Sequence, residues 1–377
     1  MKPSVAIFAG LLFAMTTHAA ETTTLKDAFK DGFLIGAALN PAQFTGSNQI
    51  EANIVKTQFN SISPENVLKW EKVHPSPDEY DFNLADKYVE FGVKNHMFII
   101  GHTLIWHSQT PDWVFEDEAG DPVSREVLLQ RMRDHIFSVV GRYKGKIKGW
   151  DVVNEAFQDN GSLRDSPWHR IIGDDFIKKA FEFAHEADPE AELYYNDYSL
   201  VKPAKRDAVV ALVKQLQAQG IKITGVGIQG HYALDRPSLG QVDQTISTFE
   251  SLGIKVMITE LDINVLPSPE HSLSADVSER YQMRKGLNPY TNGLPDSVQQ
   301  KLAQRYADLF GVFLKHRNSI TRVTLWGVTD KDSWLNNYPV PGRTNYPLLF
   351  NRQGQPKPAL DATLKAAELH RFKQAGN

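Results

Sequence analysis

Two glutamates, each near the end of an apolar run, are the residues of this chain best placed to do chemistry. Glu155 closes Trp-Asp-Val-Val-Asn-Glu (150–155), and Glu260 stands in Ile-Thr-Glu-Leu-Asp-Ile (258–263). Two carboxyls brought face to face are what cleavage of a glycosidic bond requires. An acetal does not ionise unaided, so a protonated carboxyl must donate to the departing oxygen while a carboxylate meets the positive charge developing at carbon one. The two residues lie 260 − 155 = 105 positions apart, too far for one local element to carry both. The fold has to bring them together.

The elements that could do so alternate along the chain. Short β-type runs fall at 33–39, 59–63, 97–103, 147–154, 191–196, 223–230, 255–261 and 320–326. Between them run helical patterns. In 124–140, Leu128, Met132, Ile136 and Val140 recur at every fourth residue, and in 203–219 Pro203 suits a first turn and Gly220 a C-terminal cap. Eight strand-then-helix units predict either a (β/α)₈ TIM barrel or an open doubly wound sheet. The polar residues decide between them. Glu65, Asn66 and Lys69 follow the second strand; His102 ends the third and leads to Trp106; Asn154 and Glu155 end the fourth. Asn196 ends the fifth, Gln229 and His231 the sixth, Glu260 and Asp262 belong to the seventh, and Trp326 ends the eighth with Trp334 beyond. Barrel enzymes collect their working groups at the C-terminal ends of all the strands, whereas a doubly wound sheet gathers them at a switch point. The barrel is the expected fold, as one domain over residues 21–377.

Bulk composition narrows the chemistry. The chain has no cysteine, which excludes disulfides, thiolate metal sites and a cysteine nucleophile. With 41 basic and 45 acidic residues and no basic stripe, it offers nothing for nucleic acid or an anionic membrane surface. Seven tryptophans suit a neutral partner with apolar faces and many hydroxyls, as a sugar chain has. Residues 1–20 read as a signal peptide: Lys2 is basic, Val5 to Met15 is apolar but too short to span a bilayer, and Thr17-His18-Ala19-Ala20 offers a cleavage site. The mature protein is therefore expected to be secreted or periplasmic.

Several ordered motifs together resemble the glycoside hydrolase family 10 endo-β-1,4-xylanases. They are Glu65-Asn-Val-Leu-Lys-Trp70, Gly101-His-Thr-Leu-Ile-Trp-His107, Trp150–Ala156, Gly227-Ile-Gln-Gly-His231 and Gly253–Ile263, and the likeness runs from about residue 30 to about 368. The resemblance implies that Glu260 is the nucleophile and Glu155 the acid/base of a retaining double displacement. The negative charge of Glu260 is then expected to keep Glu155 protonated. His231 is expected to hydrogen-bond Glu260 and to be oriented by Asp262, which strand alternation points inward with Glu260. Asn154 resembles the residue that bonds the sugar's 2-hydroxyl.

Glu65, Asn66, Lys69, His102, Trp106 and Gln109 resemble the glycone-side binding set, and Asn196 and Gln229 join the substrate-binding group. Trp326 and Trp334 resemble the pair closing over the sugar, with Trp334 a steric gate against the hydroxymethyl of glucose. Tyr198 is placed toward the leaving group. The loop 335–347, with Tyr338 and Arg343, is expected at the distal glycone end, and the proline-rich segment 264–297 as groove wall or packing.

By the same resemblance the partners are xylan and xylo-oligosaccharides, met by a monomer in an open groove without cofactor or catalytic metal. No carbohydrate-binding module is expected. His102, His107 and His231 could be read as metal ligands, but no His-x-His pair opens the first strand. Two rivals stand beside this reading: a β-1,4-glucanase on the same barrel, and an inactive barrel that only binds polysaccharide.

Overall fold

The computed structural model describes residues 23–269 and 275–375, so the expected signal peptide lies outside the described residues. The strands are β1 (Leu34–Leu39), β2 (Ser61–Pro64), β3 (Phe98–Ile105), β4 (Gly149–Asn154), β5 (Glu192–Asp197), β6 (Gly225–Ile228), β7 (His231–Ala233), β8 (Lys255–Asn264) and β9 (Ile320–Leu325). β1 to β6 pair in sequence order, β6 pairs with β8, β8 with β9, and β9 returns to β1. All these pairings are parallel, so eight strands close a (β/α)₈ barrel. A long helix follows each barrel strand: Gln49–Gln58, Asn83–Lys94, Arg125–Arg142, Phe176–Ala187, Pro203–Ala218, Leu239–Glu250, Asp296–Lys315 and Pro358–Ala375.

Local chemistry explains the helix limits. Ser124 caps Arg125–Arg142 by accepting from the Val127 amide, and Leu128, Met132, Ile136 and Val140 are fully buried along one face. Each such side chain contributes about 1.5–3 kcal/mol by leaving water. Pro203 opens its helix, and Gly220 follows the other end at φ +68°, a conformation that suits glycine.

One buried cation lies beside a small apolar cluster of barrel-strand residues. Ile100, Tyr194 and Met257 form a small cluster apart from the main core, and the buried guanidinium of Arg322 lies 5.6 Å from the Tyr194 ring centre. Glycine makes room for the large rings. A Cβ on Gly101 would stand 2.0 Å from Trp150 Cε3.

Of the register slips in the barrel, two bear directly on how the site residues are aimed. Between Ile258 and Leu261, β8 carries one residue more than β9 does between Val323 and Leu325. Between Asp151 and Val153, β4 gains one residue on β5. A bulge of this kind turns a side chain toward the face it would otherwise leave. Strict alternation would separate Asp151 from Asn154 and Thr259 from Glu260. Instead Asp151 and Asn154 both hydrogen-bond to neighbours inside the barrel, as do Thr259 and Glu260. The expected sixth strand, 223–230, is shorter: β6 stops at Ile228, the chain turns at Gly230 (φ +84°), and β7 restarts against the upper end of β8 as a ninth, short strand.

Candidate active site

The Gly227–His231 motif shows why those residue types stand where they do. A Cβ on Gly227 would sit 2.3 Å from Asn196 Oδ1, so only glycine leaves that amide its place. The turn at Gly230 then lets Gln229 and His231 both face one cavity of about 160 Å³. Glu65, Asn66, Lys69, His102, Trp106, Gln109, Asn154, Glu155, Glu260, Trp326 and Trp334 line the same cavity. The fold thus gathers residues spread over most of the chain.

Glu260 is buried and held from both sides. Asn196 Nδ2 donates to its Oε1 at 2.7 Å, and His231 Nε2 lies 3.3 Å from its Oε2. The other ring nitrogen of His231 lies 3.0 Å from Asp262 Oδ1. Burial alone would raise the Glu260 carboxyl. The His231 hydrogen bond, the charges of His102 and His231 and the Asn196 bond outweigh it, leaving Glu260 below the ordinary carboxylate value. For His231, burial favours the neutral ring, but the Asp262 and Glu260 carboxylates overcome it and push the imidazole up to about 10. Asp262 also accepts from Trp334 Nε1 at 2.7 Å, so one carboxylate fixes both the histidine and the indole.

Glu155 is treated in the opposite way. Burial pushes its carboxyl up, the charge of Asp197 adds to this, and Glu260 contributes a smaller push. Hydrogen bonds from Gln229 Nε2 (2.9 Å) and Trp106 Nε1 (2.8 Å) restrain the rise without cancelling it. The expected influence of Glu260 is therefore present but ranks behind burial and Asp197. The backbone of Glu155 is unusual as well, at φ +57°.

The remaining residues fall into three groups. Lys69 Nζ donates to Gln109 Oε1 at 2.8 Å and Asn66 Oδ1 at 3.0 Å, and lies 4.7 Å from the Trp106 ring centre, which ties the residues expected on the glycone side into one unit. His102 is oriented by Asp151 at 2.9 Å and meets Trp326 edge-on at 5.5 Å. Trp334 stacks on Tyr338 at 4.3 Å. Asn154 Oδ1 accepts from Asn196 Nδ2 at 2.9 Å and Gln229 Nε2 at 3.3 Å, and among the described residues no protein group accepts from Asn154 Nδ2. That nitrogen is left for a ligand.

Two expected positions differ, and a third lies beside the cavity of the two glutamates. Asn196, expected to touch substrate, is fully buried: Thr259 donates to its oxygen at 2.6 Å, and its nitrogen serves Asn154 and Glu260. It carries the site from beneath. Tyr198 does not line the cavity of the two glutamates but an adjoining one of about 260 Å³, which shares His231, Ala275 and Trp334 with it. Arg343, expected near the distal end of the groove, is buried and donates to the carbonyls of Pro267 and Tyr338, so it packs the loop.

Residues that the motif reading passed over also belong here. Asp151 orients His102, Thr259 seats Asn196, and Arg164 Nε donates to the Glu155 carbonyl at 3.1 Å. A charged residue inside an apolar strand, as Asp151 is, signals a buried partner. Arg164 lies in a loop and carries no such signal. Among the described residues, no group of three or more His, Asp or Glu side chains is arranged to hold a metal ion.

A closed barrel whose strand ends present two buried carboxyls with opposite protonation preferences, bordered by amides and indoles, defines a glycoside hydrolase. The sequence pattern of Glycosyl hydrolase family 10 matches residues 24–366, and the chain belongs to that family. It is 48% identical over 358 residues to an endo-1,4-β-xylanase A of Xylanibacter ruminicola, covering 95% of this chain and 97% of that one. A family 10 endoxylanase retrieved from a sugarcane soil metagenome superposes with a TM-score of 0.87 at 46% identity, over 92% of this chain and all of that one. A variant solved in complex with xylotriose superposes at 0.81 with 39% identity, over 91% and 99% of the two chains.

Proposed function

We propose that this protein is an endo-β-1,4-xylanase that cleaves xylan and xylo-oligosaccharides with net retention at the anomeric carbon. The observation that carries the proposal is the asymmetry of the carboxyl pair: Glu260 held ionised by His231 and Asn196, Glu155 pushed toward its acid form by burial and Asp197. The names of the relatives supply the bond and the polymer.

In the first step a carboxylate oxygen of Glu260 forms a bond to carbon one as the glycosidic C–O bond breaks, and Glu155 delivers its proton to the departing oxygen. The negative charge that disfavoured ionisation of Glu155 is now spent in the glycosyl ester, so Glu155 becomes the better base. It takes a proton from water as that water's oxygen bonds carbon one and the ester to Glu260 breaks. The imidazolium of His231 receives the restored carboxylate. The free Nδ2 of Asn154 suits a hydrogen bond to the sugar's 2-hydroxyl, which tightens in the transition state.

The choice of xylose over glucose rests on Trp334. Its bond to Asp262 and its stacking on Tyr338 keep the indole in place, and a fixed wall excludes an extra hydroxymethyl better than a mobile one. Export follows from the Lys2, Val5–Met15 and Thr17–Ala20 pattern. N-terminal sequencing of the protein recovered outside the cytoplasm should begin near Glu21.

Rates on xylan and on soluble cellulose test the activity. Release of reducing ends from xylan, much faster than from cellulose and abolished by Glu260→Ala, is the expected result. Retardation of the protein by xylan with no products would mean a binding protein instead.

A further inference from the structure

Glu155 carries its carboxyl on a backbone that L-residues seldom adopt, at φ +57°, a conformation that costs on the order of 1–3 kcal/mol and persists only where neighbours enforce it. The neighbours are specific. The Glu155 amide donates to the Asn196 carbonyl at 2.9 Å. The Glu155 carbonyl accepts from Arg164 Nε at 3.1 Å, and the next amide, that of Ala156, donates to the Tyr195 hydroxyl at 3.0 Å.

That hydroxyl is itself aimed. It donates to Asp197 Oδ2 at 2.6 Å, which leaves its lone pairs for Ala156. Asp197 is fully buried, paired with the buried ammonium of Lys205 at 2.7 Å, and accepts from the Tyr198 amide at 2.8 Å. Arg164 is fixed in turn by Asp276 at 2.8 Å and by the Tyr198 hydroxyl at 2.8 Å. Tyr195 and Asp197 do not line the cavity of the two glutamates, so a sugar bound there does not meet them directly.

We propose that Arg164, Tyr195 and Asp197 are positioning residues that clamp both ends of the peptide group between Glu155 and Ala156 and so aim the Glu155 carboxyl at the departing oxygen. The inference rests on the reading of Glu155 as the acid/base. Among the described residues, the Arg164 guanidinium, the Tyr195 hydroxyl and the Asp197 carboxylate bond neither Glu260 nor the side chains of His231 and Asn196 that hold it, although Asn196 lies between Tyr195 and Asp197 in the chain. Loss of the clamp should therefore weaken proton delivery and spare nucleophilic attack. The charge of Asp197, which ranks next to burial in pushing the Glu155 carboxyl up, points the same way.

The test compares two aryl β-xylobiosides, one with phenol as leaving group, which needs a proton, and one with 2,4-dinitrophenol, which leaves without one. Tyr195→Phe removes only the hydroxyl. It should lower kcat/KM on the phenyl substrate roughly tenfold, a fraction of what general acid catalysis supplies, and change the dinitrophenyl substrate by less than about twofold. Arg164→Lys, which retains the charge but loses the Nε donor, should show the same selectivity and serves if Tyr195→Phe does not fold. An equal fall on both substrates, or no fall on either, overturns the clamp. Glu155→Ala is the control: if it too lacks leaving-group selectivity, the assignment of the acid has failed rather than the clamp.

Discussion

His231 Nε2 lies 3.3 Å from Glu260 Oε2, and this contact is what separates the two glutamates chemically. With its other nitrogen 3.0 Å from Asp262, the ring is pushed up to about 10, which favours the imidazolium at neutral pH. Among the described residues, a charged donor reaches the Glu260 carboxylate while the donors to the Glu155 carboxyl, Gln229 and Trp106, are neutral, which gives two carboxyls of the same type different jobs.

Removing that donor gives the first prediction. His231→Ala should lower kcat/KM on xylan roughly 10- to 100-fold, as expected for loss of a charge-assisted bond worth about 1.5–3 kcal/mol. Asp262→Asn should fall in the same direction, because it releases His231 and Trp334 together. Steady-state kinetics on one xylan preparation decide it; activity within twofold of the parent would mean that His231 only packs the core.

The pH dependence follows from the directions of the shifts. Glu260 must be ionised and lies below the ordinary carboxylate value, so the acidic limb of kcat/KM should fall below pH 4.5. Glu155 must be protonated and lies above that value, so the alkaline limb should fall above it. Stability should change separately. The folded value of His231 is raised from 6.5 to about 10, so its contribution is complete below pH 6.5 and is lost as pH rises toward 10. Thermal melts of the parent protein should therefore decline across that window more steeply than those of His231→Asn.

Asn154→Ala tests the free amide nitrogen. It should cut kcat/KM by about 10²-fold on a xyloside, as for a transition-state hydrogen bond of a few kcal/mol, and far less on the 2-deoxy analogue. Equal losses on both substrates would mean that Asn154 serves only Asn196 and Gln229.

Two glycine and tryptophan positions test the scaffold. Gly227→Ala places a Cβ 2.3 Å from Asn196 Oδ1, and overpacking of this kind costs about 1–3 kcal/mol. A lowered Tm with activity lost beyond the loss of fold is expected, because Asn196 seats Glu260. Trp334→Ala should raise the rate on cello-oligosaccharides relative to xylo-oligosaccharides; an unchanged ratio would remove Trp334 from specificity.

The barrel and the carboxyl pair were legible because both leave linear traces. Apolar strands alternate with amphipathic helices, and polar residues follow each strand in order. Other features depend on geometry that no linear period records. The slips that bring Asp151 with Asn154, and Thr259 with Glu260, to one face break the alternation on which a sequence reading relies. Asn196 looked like a sugar ligand because it ends a strand, yet Gly227 on the neighbouring strand lets it drop beneath the site. Arg164 joins the site from a loop, where spacing carries no information about what the side chain meets.

The central claim is that Glu260 attacks carbon one and is displaced by water, and proton NMR during the first minutes of xylo-oligosaccharide hydrolysis tests it most directly. The account predicts that the first-formed reducing ends are β anomers, which then mutarotate toward the equilibrium mixture. First-formed α anomers would show a single displacement by water and contradict it.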